Sequence, residues 1–397
     1  MDIKNIGNMA QEYSKKIMNS KCYLIIVYLL SIVFIIIFTY SLYLRKELTK
    51  EAGNLKEMKK LNYEDKTTIT QLDDYDYKRR IKDKKTTLLD YYVYGSFNSC
   101  CTGEVINGYV SIDALKEVIN LGVRLLDFEI YFKDGQVVVA AGRNNIYMKD
   151  TYNELEIGTV FAEIKKLALG SVANKSDPLI LNFRVVSKNP NVYHILEKNI
   201  MKHFSDYLVD KRLPKQNKRN EGTALTTPLA NLINKVIIFV KDDYKLFEEN
   251  PGFKELVNAS TNGNPSRGTK IAVYNDYQIQ NERSPDAYIN EAKTSFLITT
   301  PNVMAKGNSK WSMHHKCGVQ GALMNFGGGY HDDQFKNYRN KFLRAKPNPK
   351  AFILKPTDLL KRIDKTFKIN EQNSKLNSGS KPRVVPAGKL NIPLGNL

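Results

Sequence analysis

Cysteine is scarce in this 397-residue chain, which has only Cys22, Cys100, Cys101 and Cys317. Neighbouring Cys100 and Cys101 could pair only with strain, and Cys22 sits in an apolar run. No secreted disulfide framework is legible, and a reducing compartment is expected. Two Asn-x-Ser sequons, at Asn174 and Asn258, would matter only if that expectation fails. Acid is also in short supply, with 41 Asp and Glu against 60 Lys and Arg, a formal charge of +19. Such a surplus points to an anionic partner, either a lipid surface or nucleic acid. Zinc-finger spacing, a Walker loop and a basic region running into heptads are all missing, which makes nucleic acid the lesser option. No internal repeat is visible. Tryptophan occurs once, at Trp311, where core packing is the default and contact with lipid the alternative.

One long apolar run is present. Residues 1–21 form a polar arm, and residues 22–44 then carry no charge between Lys21 and Arg45. As a helix this segment is about 34 Å long, enough to cross a bilayer. Tyr23, Tyr40 and Tyr43 lie near its ends, where amphipathic rings prefer the interface. The run is too long for the core of a signal peptide and no small-residue cleavage site follows, so a retained single-pass anchor is expected. Slightly more Lys and Arg follow the span than precede it, which favours a cytoplasmic C-terminal bulk. Residues 45–86 mix charges of both signs and read as a partly helical stalk.

With 42% hydrophobic residues the chain can bury a sizeable core, in one large domain or two smaller ones. From residue 87 apolar strands alternate with helical patterns. Strands are expected at 91–96, 123–130, 179–183, 236–241, 270–273, 295–299, 322–326 and 351–354, and helices at 112–120, 160–168, 191–207 and 333–342. That alternation argues for a parallel sheet, and about eight strands argue for a closed barrel. Polar loops fall at 209–228 and 258–268. After residue 363 the apolar period is lost, and 364–397 reads as a basic, poorly ordered tail.

The stretch LGVRLLDFEIYFKDGQVVVAAG, residues 121–142, organises the rest. Asp127 and Glu129 are two apart on an apolar strand and so share a face. Lys133, Asp134 and Gly135 then make a turn into a second strand. Two same-face acids near a strand end are either a cation site or a solvated face. Five histidines are available. His314 and His315 are adjacent, which sets them on opposite faces of a strand, and they read as a surface-loop pair. His194 and His203 read as surface or packing residues. His331, in a Gly-rich segment after a strand, is the best placed, although Asp332 and Asp333 beside it read equally as a helix start. Gly327 to Gly329 suit a plain turn, or amides facing a phosphate.

Several segments together resemble the catalytic barrel of the phosphoinositide-specific phospholipase C family. LDYYVYGSFNSCCTG, residues 89–103, is similar to its first motif, a strand ending in Ser-His-Asn-Thr. Residues 121–142 resemble the second, Gly-Cys-Arg then Glu-x-Asp, a turn and a His-Gly pair. PLILNFRVV, residues 178–186, resembles a strand that ends in a metal-binding Glu, and NKVIIFVK, residues 234–241, one that delivers phosphate-binding lysines. CGVQGALMNF, residues 317–326, and AFILKPTDLL, residues 351–360, resemble segments of the family's second half. The likeness covers residues 87–363 and implies a distorted (β/α)8 TIM barrel with its site at the C-terminal strand ends. It also implies two histidines for proton transfer and a calcium ion held by Asn and three carboxylates.

The chain departs from that pattern where the chemistry would occur. Phe97 and Ala141 stand at the two histidine positions, and neither can move a proton. Asn98 is kept, and Asp127 and Glu129 keep both acids with their identities exchanged. Arg184 stands at the third carboxylate position. Phe239 replaces one lysine while Lys241 is retained, and Ile298 and Thr300 fall near the headgroup-binding Arg-x-Tyr pair. The resemblance with these losses implies a catalytically silent, membrane-anchored relative acting as a structural or anionic-lipid-binding module, with no cofactor. Arg184 is expected to substitute for calcium by pairing Asp127, Glu129 or both; the alternative has it reaching solvent. If a metal were held, Asn98, Asp127 and Glu129 would hold it. The competing functions are an active phosphodiester hydrolase rebuilt from Asp127, Glu129, Lys241 and His331, and a basic scaffold of a virion or of nucleic acid.

Overall fold

Parallel pairing carries the chain round a ring. Strand β1 (Gly95–Phe97) pairs with β2 (Leu125–Lys133), which turns through a hairpin into antiparallel β3 (Gln136–Ala140). On its other edge β2 pairs with β4 (Leu179–Val185), β4 with β5 (Val236–Asp242), and β5 with the two-residue β6 (Ala259–Ser260). A second arc joins β7 (Ile271–Asn275), β8 (Phe296–Thr300) and β9 (Gly321–Ala322), and β10 (Met324–Asn325) returns to pair with β1. The link between β6 and β7 is thin, a single bridge between Ser260 and Lys270. The result is a distorted (β/α)8 arrangement whose first half is better formed than its second. The computed structural model describes residues 3–18, 21–64, 67–81, 84–143, 148–209, 223–281, 285–303, 307–327 and 332–360. The expected tail at 364–397 lies outside these.

Side-chain alternation explains why the strands read as almost wholly apolar. Phe128 and Phe183 face outward, where Phe183 packs against Phe161 of a covering helix, 5.7 Å between ring centroids. The intervening positions point into the barrel. There Leu125 fills the floor: a Cβ on Gly321 would collide with it, and one on Gly95 would collide with Leu323 beside it. The mouth-side positions of the same strands are polar, and they build the site.

Seven helices matter below: α1 (Ile3–Met18), α2 (Lys21–Glu64), α3 (Ile112–Asn120), α4 (Ile157–Ala168), α5 (Asn191–Phe204), α6 (Trp311–Lys316) and α7 (Asp333–Leu343). Ser111 caps α3 by accepting from Asp113 N, Glu156 caps α4 in the same way, and Asp332 caps α7. The acids at 332 and 333 therefore do start a helix.

Four local expectations differ. The polar arm is the helix α1, because its apolar residues recur at helical spacing. The strand expected at 91–96 is two pieces, and Tyr91–Val93 pairs antiparallel with Phe352–Leu354 outside the ring. The ring position expected of 351–354 is taken instead by β6, inside a stretch read as a polar loop. His314 and His315 are on α6 and buried, each 3% exposed, not in a surface loop.

The apolar segment Tyr23–Lys46 is long and apolar enough to cross a membrane. It continues without a break into the stalk as α2, 44 residues in all. The far half of α2 packs on the barrel. Leu55 and Met58 join the core, Lys59 reaches Asp113 at 3.9 Å, and Asn54 lies against Gly103. Ile69, just beyond α2, lies against Gly122 at the opposite end of α3. Gly103 follows β1 and Gly122 precedes β2, so the apolar half of α2 projects on the mouth side of the barrel. There Tyr43 meets the loop after β3, with its hydroxyl 3.3 Å from that of Tyr152.

Candidate functional site

Two rows of the parallel ladder cross the mouth. One aligns Asp127 with Asn182 and Phe239, the next Glu129 with Arg184 and Lys241. Arg184 is the hub. Its Nε lies 3.1 and 3.2 Å from the two Asp127 oxygens, and Nη2 lies 3.1 Å from Oδ2. Nη1 donates to Glu129 Oε2 at 3.0 Å, and Nη2 also donates to Asn98 Oδ1. The Phe97 ring covers the guanidinium, with Cζ 4.8 Å from its centroid.

Two buried acids thus share one buried cation, and neutral donors meet the remaining demand. Asp127 also accepts from Asn98 N at 3.0 Å and from Asn182 Nδ2 at 2.7 Å, and Glu129 from Tyr131 Oη. Asn98 can turn its amide N–H to Asp127 because it adopts φ +40°, the left-handed region that Asn tolerates. Burial alone would lower the Arg184 pKa, but Asp127 and Glu129 outweigh it and raise it, which fixes the charge. Burial pushes the Glu129 carboxyl up, against the lowering pull of Arg184 and Tyr131.

Chemically this arrangement holds itself together and leaves little for a reactant. The carboxylate oxygens facing the mouth are taken by guanidinium N–H groups, and the ring above them is hydrocarbon. Among the described residues no group of three or more His, Cys, Asp or Glu side chains could hold a metal ion. The two buried imidazoles lie outside the ring. His314 Nδ1 is 2.8 Å from Thr299 Oγ1 on the outer face of β8, and His315 stacks on Tyr92 at 4.0 Å.

The model of the phosphatidylinositol-specific phospholipase C X domain matches residues 84–242. This chain carries such an X domain. The match runs from just before β1 to the end of β5 and so contains every member of the Arg184 cluster. Among solved structures, PLC21 of L. pealei aligns at TM-score 0.57 and 19% identity, over 71% of this chain and 38% of that one. PLC21 of S. officinalis aligns at 0.56 and 19%, with the same coverage. These likenesses concern the fold, and the chain spans well under half the length of either relative. A calcium-dependent phosphoinositol-specific phospholipase C from Pseudomonas aligns at only 0.43 and 9% identity, over 71% of this chain and all of that one, too slight a likeness to argue from. No curated protein matches the chain.

Within the X domain, Asn98, Asp127, Glu129 and Arg184 come together, while Lys241 turns aside to Asp243 at 3.2 Å. Ala141 is fully buried, and its N–H lies 3.4 Å from Thr151 Oγ1. Phe239 is buried against Phe296 at 5.0 Å, and Ile298 is also buried inside the barrel. Thr300 Oγ1 donates to the Tyr274 carbonyl at 3.5 Å. His331, Gly328 and Gly329 lie outside the described residues. Trp311 packs among His315, Tyr338 and Lys341. Asn182 and Tyr131 were not singled out from the sequence. Each stands two positions from a named residue on its own strand, and that spacing was the signal available.

Proposed function

We propose that this chain is a membrane-anchored, phospholipase C-like barrel without hydrolytic activity, serving as a binding or structural module at an anionic lipid surface. The observation that carries the reading is the Arg184 guanidinium held by Asn98, Asp127 and Glu129 beneath Phe97. In the family that the X domain resembles, those positions surround calcium and a histidine. Here a side chain supplies the positive charge, and a phenyl ring stands where a proton carrier would. The residues present do not fit a divalent ion. Its oxygen ligands are already committed, and a guanidinium beside it would repel it. General acid–base help is typically worth about 10²–10⁴-fold per group, so losing both histidine positions leaves no efficient route to phosphodiester cleavage.

Membrane anchoring is supported by the length and apolarity of Tyr23–Lys46 and by its projection on the mouth side. The barrel would lie on the cytoplasmic, reducing side. The buried Cys100 and Cys101, outside any disulfide among the described residues, and the slight excess of basic residues after the span support that side. The charge of +19 supports anionic headgroups as partners. Two assays test the reading. Phosphoinositide vesicles incubated with the purified chain, with and without calcium, should release no water-soluble headgroup; release above background would establish the rebuilt-hydrolase alternative. Co-sedimentation with vesicles of residues 47–397, which keep the half of α2 docked on the barrel, should rise with anionic lipid and fall with salt, and competition by duplex DNA would favour the nucleic-acid scaffold instead.

A further inference from the structure

The N-terminal helix α1 is unaccounted for by the barrel. Its sequence IKNIGNMAQEYSKKIM places Ile3, Ile6, Ala10, Tyr13 and Ile17 at three- and four-residue steps, with Met9 beside them. Lys4, Asn8, Gln11 and Lys15 fall on the opposite face. Between residues 6 and 13 the stripe is uncovered: Ile6 and Met9 are each 55% exposed and Tyr13 is 64% exposed. A helix of 16 residues is marginal in water without a surface to bury its apolar side.

What lies within reach limits the occupant. α1 ends at Met18, and α2 starts at Lys21 with the apolar segment Tyr23–Lys46. The barrel packs on the far half of α2, whose 44 residues make a rod of about 66 Å. The stripe therefore cannot fold back onto the barrel, and the nearest apolar surface is the one the span itself enters. Charge agrees. Within α1, Lys4, Lys15 and Lys16 face a single acid, Glu12, and Lys21 follows.

We propose that α1 lies flat in the headgroup region of the leaflet opposite the barrel, its Ile6–Met9–Tyr13 face toward the acyl chains and its lysines among anionic headgroups. This rests on Tyr23–Lys46 spanning the bilayer. The chain would then grip both leaflets, by a planar helix on one side and the basic barrel on the other.

Tryptophan scanning of the full chain tests it. In a Trp311→Phe background, one Trp is placed in turn at Ile6, Met9, Tyr13, Asn8, Gln11, Lys15 or Leu30, and the protein is reconstituted in phosphatidylcholine vesicles containing phosphatidylserine. Trp at 6, 9 and 13 should emit to the blue and be quenched several-fold more by lipids brominated near the headgroup than Trp at 8, 11 and 15. Leaving out phosphatidylserine should weaken that quenching. Trp at 30 should be quenched best by lipids brominated near the chain end. Equal quenching on both faces of α1, or none, with deep quenching at 30 would overturn the proposal and leave the span intact. Loss of deep quenching at 30 would overturn the span itself. Concentration-dependent cross-linking through a Met9→Cys variant, without lipid quenching, would assign the stripe to a second copy of the chain and overturn the proposal.

Discussion

Replacing Arg184 by methionine isolates what the guanidinium does at the mouth. Methionine keeps much of the volume and removes the charge, so Asp127 and Glu129, 0% and 1% exposed, lose their only ion-pair partner among the described contacts. Four N–H contacts to carboxylate oxygens and one to Asn98 disappear together. Breaking a buried pair by removing one partner typically costs about 3–5 kcal/mol, because the surviving charge stays desolvated. Here two like charges survive side by side, which puts the expected loss at pH 7.5 at the upper end of that range. The pH dependence carries the sharper signature. Burial already pushes the Glu129 carboxyl up, and without Arg184 it would rise further. A carboxyl whose folded-state pKa exceeds its unfolded value binds protons more readily when folded, so stability rises as pH falls. The deficit of Arg184→Met against the parent should therefore shrink between pH 7.5 and pH 5. Urea unfolding of the detergent-solubilised chain at both pH values, followed by circular dichroism, measures it. A loss below about 1 kcal/mol, the range of exposed pairs, or a deficit that does not shrink in acid would mean that the carboxylates are hydrated and the guanidinium is dispensable.

Arg184→Glu should gather Asn98 and three carboxylates, and calcium should then raise the melting temperature of the variant while leaving the parent unchanged; equal responses would refute the assignment of Arg184 to the cation's place. Met58, 1% exposed on the barrel-facing side of α2, should cost about 2–5 kcal/mol as Met58→Ala in the same unfolding assay, whereas an unchanged midpoint would mean that α2 does not dock on the barrel. Burial lowers the His314 pKa to about 4, so the folded state resists the proton that the unfolded chain accepts near 6.5, and stability drains as pH falls through that window. The contribution is about 3 kcal/mol at 1.36 kcal/mol per unit. Asp177, pushed up to about 6 by burial, works in the opposite sense, so the readout is the difference between parent and His314→Asn, which should lack the His314 component of the slope.

The first half of the barrel was legible because its strands are long and its helices amphipathic, and β2, β4 and β5 fall close to where periodicity puts them. In its second half β7, β8 and α7 also fall close to expectation, whereas the two-residue β6 was hidden in an Asn- and Gly-containing loop and the six-residue α6 is too brief for a period to register. The same-face logic brought Asp127 and Glu129 together, and the resemblance supplied Asn98 and Arg184. Asn182 and Tyr131 escaped because an amide and a phenol inside apolar strands give no charge signal, although the two-residue step that linked the acids reaches both. The adjacent imidazoles at 314 and 315 looked hydrophilic in a list of residues, yet ring stacking on Tyr92 and a hydroxyl from Thr299 make them core material. Polar composition likewise concealed α1, where the informative quantity is angular placement and not average character.

The unbroken α2 has a mechanical consequence. A domain on a flexible leash samples a hemisphere around its attachment point, and its local ligand concentration falls as the leash lengthens. A jointless helix docked along the barrel removes that search. If Tyr23–Lys46 spans a bilayer as proposed, the mouth would be held at one height and one heading, facing only the lipid directly before it. Any tilt imposed on the buried segment by bilayer thickness would then arrive at Phe97 and Arg184 as the same tilt, a lever through which the membrane itself could set what the mouth can touch.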